Sequence, residues 1–210
     1  MDNILDEIGN KEIPVEDITG KVIKEPGLLP VVIEGFSAKK ANIKFKSAKI
    51  LVQISRKEPG LLYDYFDFFA EQLSNKNNIL KWSAIDILAN LTPVDTQEKF
   101  DKLVPKYHSM LYEGSLITAG HVIAGSGVIV KSKPYLEDKI TASVLDIENI
   151  PLPTEECRNI AKGHAITVFG DYFNYIGNKA RVIEFIRKEL NNTRNSTRKK
   201  AEKFLTKWAK

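Results

Sequence analysis

Lys24-Glu25-Pro26-Gly27-Leu28-Leu29 returns letter for letter as Lys57-Glu58-Pro59-Gly60-Leu61-Leu62, 33 residues further along the chain. Identity over a whole phrase at that offset is the signature of stacked structural repeats, whose periods run from about 20 to 50 residues. In such an array each unit buries its apolar face on the next, so the phrase predicts a row of similar elements without one central core.

Working outward from the phrase, the pattern is helical. Pro26 opens a predicted helix through Phe36, since proline is tolerated in a first turn where its missing N–H is not needed. Asn42 to Ile54 is its partner. Leu61 to Leu73 carries apolar residues at 61, 62, 65, 66 and 69, the rhythm of an amphipathic helix, and Ile79 to Leu91 follows it. Asp95-Thr96-Gln97-Glu98 has capping-box spacing ahead of Phe100, Leu103, Val104, Tyr107 and Leu111, and Pro105 inside that helix is expected to kink it. Gly114 stops the helix, Ser115 caps the next, and Leu116 to Val130 continues. Tyr135 to Ile147 comes before the loop Ile150-Pro151-Leu152-Pro153-Thr154, because each proline disfavours helix in the residue ahead of it. Thr154 caps a helix reaching Phe173, and Lys179 to Leu190 and Arg194 to Trp208 form the last pair. Before the first phrase, Asn3 to Ile8 and Val15 to Lys24 predict short helices that cover the open end of the array.

Each second helix places an alanine ahead of bulky aliphatics: Ala48, Ala84, Ala119, Ala165 and Ala201, at spacings of 36, 35, 46 and 36. The long interval holds the proline loop, an insertion of the kind repeats tolerate between helices. An alanine column lets paired helices approach closely. A helix pair per repeat, opened by Pro-Gly-Leu-Leu-Pro and carrying Ala-x-x-Leu, resembles the HEAT and armadillo class of α-solenoids. Lys81, Lys162 and Arg198, three places before their alanines, resemble the HEAT second-helix pattern, while Phe45 and Leu116 depart from it.

The resemblance implies an all-α, right-handed α-α superhelix of about five HEAT-like hairpins, as one continuous domain. Residues 1–25 are expected to be its N-terminal cap. Residues 26–210 are its array, with approximate repeats 26–58, 59–94, 95–132, 133–173 and 174–210. These families include scaffolds, adaptors, transport receptors and a few enzymes, so the fold alone does not name an activity.

The formal net charge is +4. From Lys179 to Lys210 eleven Lys or Arg face three Glu, leaving the rest of the chain acidic. A second basic run, Lys39 to Lys57, has seven Lys or Arg and no acid. If second helices line a concave face, as the resemblance implies, both ends of that groove are basic. The binding residues expected there are Lys44, Lys46, Lys81, Trp82, Lys162, Arg198 and Lys200. Such a groove suits an acidic peptide or a nucleic-acid backbone. The plainer reading makes the last helix a charged cap and the earlier run a solvated face.

Catalytic signatures are sparse. His108, His121 and His164 lack metal-ligand spacing, and there is no P-loop, so no metal or cofactor is expected. Gly120, Gly125 and Gly127 are read as close helix packing or a kink in the central repeat, and Cys157 as a lone thiol that excludes an internal disulfide. Tyr63 or Phe68 is expected to pack on a neighbouring hairpin or to remain outside as an anchor. Trp82 and Asp86, four residues apart on one helix face, resemble the aromatic and carboxylate pair of HEAT-like alkylpurine DNA glycosylases. The absence of any Arg between Arg56 and Arg158 departs from that pattern.

No run approaches the ~18 apolar residues of a membrane span, and the acidic start at Met1-Asp2-Asn3 is unlike a signal peptide. The expectation is a cytoplasmic, non-enzymatic scaffold or adaptor that binds a protein, with no membrane association. The alternative is a nucleic-acid-binding HEAT-like protein whose DNA-glycosylase-like form would use Asp86 and Trp82. Neither reading sets the oligomeric state.

Overall fold

The computed structural model describes residues 4–209; Met1, Asp2, Asn3 and Lys210 lie outside them. Among the described residues the chain is all α-helix and 3-10 turn, with no strand. It divides into two compact units, 1–101 and 102–210.

The first unit holds α1 (Ile4–Gly9), α2 (Val15–Lys24), α3 (Leu29–Phe36), α4 (Ala41–Lys57), α5 (Phe66–Gln72), α6 (Asn78–Leu91) and the start of α7 (Lys99–Ser109). The second holds the rest of α7, then α8 (Leu116–Ser132), α9 (Glu137–Leu145), α10 (Glu155–Tyr172), α11 (Lys179–Lys188) and α12 (Asn195–Trp208). In the first unit α4 packs on α3 and α6 and is covered by α1 and α2; in the second α10 packs between α8 and α12. This is the all-α solenoid fold that the repeated phrase predicts.

The phrase itself is a helix end joined to a turn. The residue before proline is barred from the α region, so Glu25 and Glu58 leave it at ψ 72° and 67°. Each still closes the preceding helix, donating its N–H to Lys21 O or Ile54 O. Pro26 and Pro59 then open 3-10 turns. Lys133-Pro134 repeats the device with ψ 70° and a bond to Ile129 O. Only the proline and one leucine, Leu136, survive there, with Lys133 in place of the glutamate, too little to be seen as a third copy of the phrase.

Ala48, Ala84, Ala119, Ala165 and Ala201 are all fully buried. Glycines help where helices come closest. A Cβ on Gly127 of α8 would lie 2.9 Å from Val168 of α10, and one on Gly163 would lie 2.9 Å from the Thr197 hydroxyl of α12. Gly120 meets nothing within 4 Å, so close packing does not account for it.

Two local expectations are corrected. Leu61 to Leu73 is not one amphipathic α-helix: Pro59–Tyr65 is a 3-10 turn and only Phe66–Gln72 is α. The tighter turn rotates Tyr65 to half-burial, while Phe66 and Phe69 stay in the core. Asp95 to Glu98 is not a capping box either, since Glu98 adopts a φ of 52° and α7 starts one residue later. Asp95 instead accepts the N–H groups of Lys99 and Phe100, each at 2.9 Å. The Tyr63 and Phe68 question resolves towards packing: Tyr63 donates its hydroxyl to Asp95, and Phe68 meets Phe36 of the preceding hairpin edge-on at 5.7 Å.

The proline loop is held by one guanidinium. Arg158 Nη1 donates to the carbonyls of Ile147, Glu148 and Ile150 at 2.9, 2.7 and 3.1 Å. The helix that follows the loop thus satisfies the first loop carbonyl, at Ile150, and two in the 3-10 turn ahead of it.

Candidate functional site

Because α10 packs between α8 and α12, the three second helices of the second unit leave one side uncovered. On α8 this side is apolar and small, with Ile117 53% exposed, Ala124 exposed, and Gly120 and Val128 half-buried. On α10 it presents His164, Thr167 and Asp171, and on α12 Lys199, Lys200, Lys203 and Lys207, all exposed.

A cleft of about 340 Å³ opens between α10 and α12. Its apolar lining is Ile166, Gly170, Phe204 and Trp208. Phe173 fixes the ring positions from behind, lying 5.1 Å from Phe204 at 90° and 4.9 Å from Trp208. Lys200, Lys203 and Lys207 line the α12 wall, and among the described residues Asp171 is the only carboxylate lining the cleft. The Lys207 ammonium sits 4.4 Å over the Trp208 ring. Among the described residues neither Lys203 nor Lys207 has a carboxylate partner.

The potential here is positive. Burial, then the nearby Arg194 charge, lowers the pKa of Lys200. His164 is lowered by burial and by the charges of Lys200 and Arg194. Arg194 itself is paired with Glu156.

Most of the cations expected to bind a partner end on the chain's own acceptors. Lys46 donates to the carbonyls of Asn10 and Ile13 at 2.5 and 2.6 Å, holding the α1–α2 loop against α4. Arg198 donates to Asn192 O and Thr193 O at 2.6 and 3.1 Å, and Lys200 to Gly163 O at 2.9 Å. Lys162 is 8% exposed and lies between Glu148 at 2.5 Å and Glu189 at 3.2 Å. Burial pulls the Lys162 pKa down, but the hydrogen bond and charge of Glu148 and the charge of Glu189 outweigh it, and the net shift is upward. Lys44, Lys81 and Trp82 are half-buried. Asp86 is half-buried too, 3.7 Å from Arg56.

The expected residues therefore fall into groups on separate helices: Lys44 and Lys46 on α4, Lys81 and Trp82 on α6, Lys162 on α10, and Arg198 and Lys200 on α12. Lys203, Phe204, Lys207 and Trp208, which line the cleft, are not among the expected binding residues, although Lys203 and Lys207 belong to the basic last helix. Their signal is Lys200, Lys203 and Lys207 at i, i+3 and i+7, with Phe204 and Trp208 at i, i+4 beside them.

A larger cleft of about 610 Å³ involves Lys162, Glu189, Asn159 and Asn192. Its buried polar atoms are bonded to one another. Asn192 donates to Asn159 and Glu189 at 2.8 and 2.6 Å, and Asn159 donates to Thr193 at 3.0 Å. This network knits the turn after α11 to α10. In the first unit a cleft of about 390 Å³ is lined by Phe45, Lys11, Lys46 and Lys49. Among the described residues no group of three or more His, Cys, Asp or Glu is placed to hold a metal, and no helix is long and apolar enough to cross a membrane.

No family model and no curated protein matches this sequence. Solved structures do match its fold. A designed armadillo repeat protein, YIII(Dq)4CqI, superposes with a TM-score of 0.60 at 13% identity, over 96% of this chain and 89% of that one. An engineered protein of the Northeast Structural Genomics Consortium gives a TM-score of 0.57 at 12% identity, over 97% of this chain and 86% of that one. At such identities the likeness is one of fold.

Proposed function

We propose that this armadillo-like helical repeat chain is a non-enzymatic scaffold, which holds a protein partner on the uncovered side of α8, α10 and α12. The observation that carries the reading is the composition of that side. It joins exposed aliphatic surface on α8 to an aromatic cleft and unpaired lysines on α12. Apolar surface beside a charged rim is the arrangement of protein-binding patches.

A nucleic-acid backbone would be followed by cations that project from successive helices. Here Lys46, Lys162, Arg198 and Lys200 are committed to carbonyls or carboxylates of the chain itself, which favours the protein reading. Asp86 beside Arg56 is in the same position.

The test is site-specific photo-crosslinking in cells of origin. A crosslinking amino acid at Ala124, on the uncovered side, is expected to capture a discrete protein. The same probe at Lys139, exposed on α9, is expected to capture none. Capture of nucleic acid alone at Ala124, or identical products at both positions, would refute the proposal.

A further inference from the structure

We infer that the α10–α12 cleft recognises an acidic peptide segment carrying one bulky apolar side chain, which seats on Phe204 and Trp208 while flanking carboxylates meet Lys203 and Lys207. The inference rests on the scaffold reading and names the chemistry of its partner.

The cleft has a rigid apolar interior. Phe204 is 5% exposed, and the Trp208 ring lies 4.9 Å from the buried Phe173 at a tilt of 42°, while Phe173 also stands edge-on to Phe204. Rings held this way are ordered before a ligand arrives, so seating an apolar side chain between them costs little further entropy. Gly170 lies opposite Phe204, where even an added Cβ would come no closer than 3.7 Å to the ring.

The rim supplies the charge. Lys200, Lys203 and Lys207 share one face of α12 and cover about 10 Å of its axis at the helical rise. An extended peptide crosses that distance in about three residues. Among the described residues Asp171 is the only acid on the opposite wall, so the rim they form is net positive and complementary to a segment with acids on both sides of its anchor. Lys200 is already bonded to Gly163 O, which leaves Lys203, and Lys207 over the Trp208 ring, as the cations without a carbonyl or carboxylate partner among the described residues. Burial and Arg194 disfavour the Lys200 charge, and a bound carboxylate offsets that cost.

A peptide fits better than a nucleic acid because the cations are concentrated on α12. The next uncovered positions are His164, Thr167 and Asp171 on α10, then Ile117, Ala124 and Val128 on α8. Of α8's uncovered side only Lys131 carries a full positive charge, too little to carry a phosphate chain across the unit.

The experiment uses the full chain with Trp82→Phe, so that Trp208 is the single tryptophan. The probes are a labelled peptide of one phenylalanine flanked by glutamates, the same peptide with alanine for phenylalanine, and a single-stranded oligothymidylate of equal charge. The phenylalanine peptide is expected to shift Trp208 emission and to bind about tenfold or more tighter than the alanine peptide. The double change Lys203→Glu and Lys207→Glu, on exposed positions that leave the core intact, is expected to abolish binding, and added salt to weaken it. Equal binding of the alanine peptide or of the oligothymidylate, or full binding by the double variant, would overturn the inference. If no acidic peptide binds while Ala124 still captures its protein, the inference fails and the scaffold reading stands. If Ala124 captures nothing, the scaffold reading fails as well.

Discussion

Tyr63 donates its hydroxyl to Asp95 at 2.6 Å, joining the 3-10 turn that opens one hairpin to the cap of the next across 32 residues. Asp95 is buried and also accepts two N–H groups at the start of α7. Tyr63→Phe is expected to cost about 1 kcal/mol, the net worth of an ordinary hydrogen bond. Asp95→Ala is expected to cost about 2 to 3 kcal/mol, since it removes a helix cap and orphans buried donors. Urea unfolding of both single variants and the double measures the coupling; additive losses would mean that the two side chains act independently.

His108 is buried with neither ring nitrogen hydrogen-bonded, and burial, with a smaller contribution from Lys139, pushes its pKa down to about 4 from 6.5. The folded chain therefore keeps the ring neutral where the unfolded chain takes up a proton. Stability is fully present above pH 6.5 and is lost as pH falls towards 4, by about 3 kcal/mol from this residue. Denaturant midpoints between pH 7 and pH 4 should fall in the parent, and fall less steeply in His108→Phe. Parallel curves would show that other groups govern the acid limb.

Lys162 is the bridge between exposed Glu148 and buried Glu189. Removing it as Lys162→Met leaves the Glu189 carboxylate buried without its cation, at a cost of about 3 kcal/mol or more. Lys162→Met combined with Glu189→Leu is expected to recover most of that loss. Thermal melts separate the cases, and a double variant no better than the single would remove the pairing argument.

Gly35 of α3 faces Ser47 of α4 so closely that an added Cβ would lie 2.3 Å from the Ser47 hydroxyl oxygen. Gly35→Ala is expected to destabilise by about 1 to 3 kcal/mol, and Ser47→Ala in the same chain to restore part of it. Gly20, inside α2 with nothing within 4 Å, behaves oppositely. Gly20→Ala should stabilise by about 0.5 to 1 kcal/mol through helix propensity. Chemical denaturation distinguishes the two signs.

The helices and their faces were legible because burial follows a local period. Ala48 to Ala201 are buried where the spacing puts them, Val15–Lys24 is exact, and Thr154 and Ser115 cap α10 and α8 as their positions imply. What failed was backbone geometry that periodicity does not encode. The apolar rhythm from Leu61 fits a 3-10 turn as well as an α-helix over so short a stretch, and the left-handed Glu98 leaves no mark in residue type. The candidate site was harder to read. A lysine written in the chain has a charge but no stated partner, and the carbonyls that take up Lys46, Arg198 and Lys200 lie 33 to 37 residues away or just before the helix. Lys203, Phe204, Lys207 and Trp208 were visible as a helix face, but the Phe173 ring that organises them comes from the previous hairpin.

The tether from Lys46 to Asn10 and Ile13, with Asn42 donating to Gly9 O at 2.9 Å beside it, makes the leading segment a sheath over α4. Cleavage ahead of Val15 would strip that sheath and release the Lys46 ammonium next to Lys44 and Lys49.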